Sequence, residues 1–234
     1  MANIELPPSP SNEIKTLRKI GYTLDTSICD ILDNSIAAKS KNIYITIPLG
    51  GDNQKFISIV DDGEGMSKED LIKNMRLGCK DPETERESGD LGRFGSGMKT
   101  ASFSQARNLT VISKRKRMPP NIAVWDIDKI IEEDKWILRT YSEAQYRTIS
   151  NQKIRIKGDS GTEIIWRNID RYQDGKKDSH FSLENTINED IKNLKRTVAT
   201  YFFRFLKPEK DDRLNKINIY INKHKIQPID PFMR

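Results

Sequence analysis

Two acids and an amide crowd one short stretch of the chain, DILDNSIAAKSKNIYITI at residues 30–47. Asp30 and Asn34 are four residues apart, so on a helix their side chains stand one above the other on a single face. An amide oxygen in that position can help to complete the oxygen shell of Mg2+, which takes few protein ligands beside water and phosphate oxygens. A carboxylate one turn earlier can orient or deprotonate a water for in-line attack on a terminal phosphate, with Asp33 bracing the pair by hydrogen bonds. Residues 61–66, DDGEGM, follow directly on the apolar run FISIV. Gly63 and Gly65 let the backbone turn sharply against a flat ligand there, and Asp61 can accept a hydrogen bond from an adenine amino group. Residues 92–100, GRFGSGMKT, form a glycine-rich loop that opens a helix; converging N–H groups, the helix N-terminus and the charge of Lys99 suit a phosphate. The spacing is not that of a Walker loop and does not close a parallel βαβ unit. Each segment alone also serves as an ordinary solvated face or turn; their joint presence points to nucleotide chemistry.

The elements that must position these groups follow from periodicity. The prolines of ELPPSPS make residues 1–10 an extended arm, and helical order is expected from Ser11 or Asn12. Leu24, Ile28, Ile31, Leu32 and Ile36 recur at three- and four-residue steps, with Thr26, Asp30, Asp33, Asn34 and Ala37 on the other side, which predicts one amphipathic helix with a polar stripe. NIYITIPL and FISIVDD read as a β-hairpin across a Gly-Gly-Asp-Asn turn. SKEDLIKNMRLG reads as a short helix capped by Ser67 and stopped at Gly78, followed by an exposed, flexible loop over residues 79–91. MKTASFSQA is expected as a helix and NLTVISKRK as a strand. NIAVWDI, WILRTY and GTEIIWRNI read as further strands, with a helical or looped insert at residues 141–150. A long helix from Leu183 to Leu206 and a strand pair in KINIYINKHKIQPIDPF close the chain. This order defines an α+β, two-layer sandwich, with a mainly antiparallel mixed sheet and helices on one face.

The 234 residues suffice for one substantial core, and a composition of 32% charged and 35% hydrophobic residues is that of a globular chain. Forty bases against 34 acids give a net charge of +6 but a mixed surface, so charge alone assigns no nucleic acid. KRKR at 114–117 reads as a charged turn ahead of a DNA contact. Cys29 and Cys79 lack paired or metal-type spacing and read as reduced thiols. No apolar run is long enough to span a bilayer and the first residues lack the pattern of a signal peptide, so a cytoplasmic protein without a membrane partner is expected. His180 and His224 are expected at the surface, and Trp125, Trp136 and Trp166 in packing.

Taken in order, the motifs resemble those of the GHKL, or Bergerat-fold, ATPases, the superfamily of gyrase, MutL, heat-shock-type chaperones, histidine kinases and MORC proteins. Its acid-x-x-x-Asn is matched by Asp30 and Asn34, its Asp-x-Gly-x-Gly by Asp61, Gly63 and Gly65, its Gly-x-x-Gly-x-Gly by Gly92, Gly95 and Gly97, and its late Gly-Thr strand by Gly161 and Thr162. NMRLGCKDP and GDLGRFGSGMKTASFSQ most resemble the MORC-like branch, which includes prokaryotic members. The resemblance implies an ATPase domain over residues 11–234, with ATP and Mg2+ as cofactors, Asn34 as the metal ligand and Asp30 as the catalytic base. It implies a nucleotide site formed by Asn34, Ala38, Asp61, Gly63, Gly65, Met66, Asn74, Gly92, Arg93, Phe94, Gly95, Ser96, Gly97, Met98, Lys99, Thr100 and Thr162, with an ATP lid at residues 79–97. It further implies slow hydrolysis to ADP and phosphate, lid closure that drives an ATP-dependent homodimer, and DNA as a partner of the full-length assembly. Relatives usually carry Glu where this chain has Asp30, which is one methylene shorter, and a misplacement of about 1 Å can cost on the order of 100-fold in rate. Hydrolysing relatives take a lysine from a transducer domain that follows the ATPase domain, and that domain is expected to be absent here. A nucleotide-binding switch without turnover, controlling a DNA- or protein-binding partner, is the alternative; a chaperone ATPase is a third. The residues ahead of Asp30 include no histidine, so a complete histidine kinase is not expected.

Overall fold

The computed structural model describes residues 4, 6–48, 56–78, 97–150, 152–170, 180–208 and 214–232. Its strands are β1 (Asn42–Thr46), β2 (Phe56–Asp61), β3 (Asn108–Lys114), β4 (Asn121–Asp126), β5 (Arg139–Ser142), β6 (Gly161–Arg167), β7 (Asn218–Ile221) and β8 (His224–Lys225). They form one sheet in the order β5-β4-β3-β6-β2-β1-β7-β8. Every pairing is antiparallel except that of β1 with β7, where Ile43 lies opposite Ile219 and Ile45 opposite Ile221.

Side chains alternate across a strand, and that alternation sorts the core into two layers. Ile57, Ile59, Val111, Ala123, Trp125, Ile164 and Trp166 face one side and pack under helices α1 (Pro10–Leu17), α2 (Leu24–Ala37), α3 (Lys68–Met75), α4 (Gly97–Gln105), α5 (Ile127–Glu133) and α7 (His180–Tyr201). Their neighbours Phe56, Ile112, Ile122, Val124 and Ile165 face the other side, where Tyr146 of the short helix α6 (Glu143–Ile149) and the segment bearing Ile154 and Ile156 cover them. This second cover leaves β1 half open: Tyr44 and Thr46 are exposed, and Tyr44 stacks on Tyr220 of β7 with ring centroids 4.9 Å apart. The fold is the expected α+β sandwich, with α6 added on the far face.

Local chemistry explains where the elements begin and end. Pro10 occupies the first turn of α1, where a missing N–H costs nothing, and Ser9 caps it, so this helix starts ahead of Ser11. Thr23 caps α2 and is capped in return by Thr26, and Lys39 ends that helix in the left-handed region at φ 59°. Ser67 caps α3 as expected. Helix α5 stands between two expected strands, where no helix was expected: Asp126 caps it, Ile127 and Ile130 are its buried stripe, and it stops at Asp134, at φ 47°. Strand β5 is correspondingly shorter than WILRTY. The long C-terminal helix breaks at Phe202 and resumes as α8 (Phe203–Leu206).

Helix α4 is fastened at three points along its length. Buried Ser102 Oγ donates to Met98 O at 2.6 Å and accepts from Trp166 Nε1 at 2.8 Å, which pins the helix to β6. Arg18 Nη1 donates to Phe103 O and Ala106 O, both at 3.0 Å, at the C-terminal end, and Gln105 Nε2 donates to Tyr22 O at 3.1 Å, just ahead of α2. Removing the hydroxyl would strand the indole N–H of a fully buried tryptophan. Ser102→Ala is therefore expected to cost about 1–3 kcal/mol of stability in urea unfolding, with an unchanged denaturant slope.

Candidate functional site

At the end of β2, Asp61 is 7% exposed and sits where α2, the start of β6 and the following loop converge. Its Oδ1 accepts from the backbone N–H groups of Gly63 (2.9 Å) and Thr162 (3.2 Å), and its Oδ2 from the hydroxyl of Ser35 on α2 (3.1 Å). Burial nevertheless pushes the carboxyl up to about 6, against the downward pull of those donors. Ser40 Oγ is buried beside it without a hydrogen bond of good geometry. The Thr162 hydroxyl does not face Asp61; it pairs with Ser113 Oγ at 2.9 Å, which also accepts from Met66 N–H at 2.9 Å.

The glycines of DDGEGM have protein atoms where a side chain would stand. A Cβ at Gly63 would lie 2.7 Å from Ala38 O, and one at Gly65, held at φ +67°, would lie 1.9 Å from Lys114 O. The loop is thus pressed between the C-terminus of α2, where Ala38 O also accepts from Glu64 N–H at 3.0 Å, and the turn after β3. Gly161, at φ +146°, makes the same close approach to Asp61 O. Met66 is half-buried, and its sulfur lies 3.5 Å from Nδ2 of exposed Asn74, which also donates to Asp70 O at 2.9 Å.

On the neighbouring turns of α2, Asn34 is exposed and Asp30 half-buried. Asn34 Nδ2 donates to Asp30 O at 2.6 Å, which turns the amide oxygen away from the helix backbone. Tyr22 OH donates to Asp30 Oδ2 at 2.9 Å. The N-terminus of α4 adjoins the same oxygen, since a Cβ at Gly97 would stand 3.5 Å from it. Thr100 Oγ1 donates back to Gly97 O at 3.2 Å and half-buried Met98 packs against the core. Lys99, expected to offer its charge to phosphate, is 1% exposed and donates from Nζ to Asn74 O at 2.5 Å, tying α4 to the last turn of α3. Asp33 makes no side-chain hydrogen bond among the described residues, so it is not the expected brace; burial, then the charge of Asp30, pushes its carboxyl up to about 6.

Helix α2 is therefore the shared wall, with Ser35 reaching Asp61 and Asp30 reaching α4. Gly92, Arg93, Phe94, Gly95 and Ser96, like most of the expected lid at 79–97, lie outside the described residues. No group of three or more His, Cys, Asp or Glu side chains with metal-binding geometry occurs among the described residues. Tyr22, Ser35 and Ser113 escaped the sequence reading. Ser35 carried a signal, being a polar residue four positions after Ile31 on the buried face, where an unpartnered hydroxyl would be costly. No helix among the described residues is long and apolar enough to cross a membrane.

Residues 22–162 match the family described as histidine kinase-, DNA gyrase B-, and HSP90-like ATPase. The matched interval runs from the tyrosine bonded to Asp30 to the threonine bonded to Asp61. The chain belongs to this GHKL family of ATPases. Similar proteins include the ATPase morc-1 of Caenorhabditis elegans, 24% identical over 182 residues that cover 64% of this chain and 21% of that protein. The chaperone protein HtpG of Rickettsia canadensis (strain McKiel) is 33% identical over 110 residues, 43% of this chain and 17% of the chaperone. The HtpG of Rickettsia akari (strain Hartford) is likewise 33% identical over 109 residues, 42% of this chain and 17% of that protein. The likeness to morc-1 supports the MORC-like branch of the family, and the chain spans about a fifth of the length of the relatives it matches.

A carboxyl raised by folding holds its proton more tightly in the folded chain, so its ionisation opposes folding above pH 6 and that penalty fades as the pH falls toward 3.8. Asp61→Asn cannot ionise. Its stability relative to wild type is expected to be greater at about pH 7.5 than at about pH 4.5, by roughly 1–3 kcal/mol in paired urea titrations. An equal difference at both pH values would show that Asp61 titrates normally.

Proposed function

We propose that the chain is an ATP- and Mg2+-binding ATPase module that hydrolyses ATP slowly to ADP and phosphate. The observation that carries this is the position of Asp30, one turn before Asn34 on α2, with its carboxylate against the N-terminus of α4 while the same helix reaches Asp61 through Ser35. At the Asp61 end, burial raises the free energy of an ionised carboxylate and makes an added donor welcome, which suits the amino group of adenine. At the Asp30 end, the first N–H groups of α4 from Gly97 to Thr100 offer the partial positive charge that favours phosphate oxygens.

The metal fits the residues present. Because the Asn34 amide nitrogen is engaged by Asp30 O, the amide oxygen is the atom presented outward, a hard donor of the kind Mg2+ takes. Bound there with phosphate oxygens, the ion would neutralise their charge. Asp30 orients the attacking water and accepts its proton. The water oxygen bonds to the γ-phosphorus as the bond to the β–γ bridging oxygen breaks, the electron pair leaves with ADP, and the proton passes on to solvent. Lys99, engaged at Asn74 O, would serve this site by holding α3 to α4.

The resemblance extends the proposal to the rest of the molecule: residues 1–10 as an arm, residues 11–234 as the ATPase domain, residues 79–97 as a lid, ATP-dependent pairing of two copies, and DNA as the partner of a longer MORC-like assembly. ATP binding and steady-state hydrolysis with Mg2+ test the core of it. Asp30→Asn is expected to keep ATP affinity and lose about 100-fold or more in turnover, and Asn34→Ala to lose the difference in affinity between Mg2+ and EDTA. Tight binding with no turnover in the parent chain would make it a nucleotide switch; failure to bind ATP would overturn the proposal.

A further inference from the structure

One hydrogen bond of the site has no counterpart in the motifs, that from Tyr22 OH to Asp30 Oδ2. Tyr22 lies immediately before Thr23, the cap of α2, and Asp30 follows two helical turns later. Helical side chains lean toward the N-terminus of their helix, so the Asp30 carboxylate reaches back toward the tyrosine as the ring reaches forward to it. The tyrosine is itself held: its N–H donates to Ile20 O at 2.7 Å, and its carbonyl accepts from Gln105 Nε2, a side chain 1% exposed on α4. The same helix α4 presents Gly97 to Asp30 Oδ2. That oxygen is enclosed between a phenol and a helix end, whereas Oδ1 accepts no hydrogen bond among the described residues.

Resting on the assignment of Asp30 as the base, we propose that Tyr22 is the positioning residue for it, holding Oδ2 so that Oδ1 is the oxygen turned to the attacking water. A carboxylate on a half-exposed helix face otherwise samples several rotamers, and a displacement of about 1 Å from the productive geometry can lower a rate by on the order of 100-fold. An aspartate has only one methylene through which to correct its aim. The bond to a tyrosine whose backbone carbonyl is held by α4 therefore couples the direction of the base to the helix whose N-terminus borders the site. Burial and the adjoining Asp30 charge raise the phenol above its usual range, so it keeps its proton, and its role as donor, at neutral pH.

Tyr22→Phe keeps the ring and removes the donor. Relative to wild type, kcat is expected to fall about 10- to 100-fold with KM and ATP affinity unchanged, and the variant is expected to have no further effect in an Asp30→Asn background. Without nucleotide, the side-chain carboxyl 13C signal of Asp30, assigned by its absence in Asp30→Asn, is expected to move in Tyr22→Phe. Wild-type kcat in Tyr22→Phe, a parallel loss of ATP affinity, an equal fall in the Asp30→Asn background, or an unmoved carboxyl signal would each overturn the positioning role while leaving Asp30 as the base. Full turnover in Asp30→Asn, or no turnover in wild type, would overturn the assignment of the base and this role with it.

Discussion

The hydrogen bond from Ser35 to Asp61 fixes how α2 lies on the sheet. A carboxylate closed into the end of a strand is expensive to bury, and two backbone N–H groups from its own side of the molecule do not complete its shell. The third donor comes from a helix, so α2 has one permitted rotation about its axis. Successive residues of a helix differ in direction by roughly 100°. With Ser35 aimed at Asp61, Asp30 and Asn34 have no choice of face, and neither does the buried stripe of Leu24, Ile28, Ile31 and Leu32. The polar bond and the apolar stripe demand the same orientation, and the site inherits its geometry from that agreement.

Much of this frame was readable from spacing alone. The apolar steps of α2, the branched residues of β1 and β2 and the cap at Ser67 are local signals, and local signals survive folding. The short helix α5 was not readable, because its apolar stripe is only Ile127 and Ile130 and its stop is an aspartate in a conformation usually given to glycine. The pairing of β7 with β1 was equally hidden, since nothing in four residues of strand states which distant edge they will meet. At the site, residue types were legible and contacts were not. Lys99 looks like a phosphate ligand by position, and only the end of α3, folded above it, shows a nearer acceptor. Tyr22 looks like a residue of a loop until Gln105 arrives from α4.

The glycines illustrate how a sequence signature can have a different cause from the one it suggests. Gly63, Gly65 and Gly161 are small because protein backbone lies where their side chains would be. Together they draw the end of β2, the start of β6, the turn after β3 and the C-terminus of α2 to within contact of one another. The proposed nucleotide site, with its buried acceptor, needs walls that do not part, and these approaches supply the closure. Gly97 differs: the space where its side chain would stand adjoins Asp30, in ordinary contact distance, so its smallness shapes the site itself.

The stacked pair of Tyr44 and Tyr220 joins the first strand of the chain to one of its last. Between them lies most of the sequence, including Asp61, Gly97 and Thr162, while Asp30 and Asn34 precede both. As the chain leaves the ribosome, β1 and β2 can pair early, but the outer edge of β1 stays bare until residues 218–221 have been made. Synthesis therefore produces the groups of the site long before it produces the strand that seals their sheet. Until then the nascent chain carries an open edge, able to pair with any other extended segment nearby.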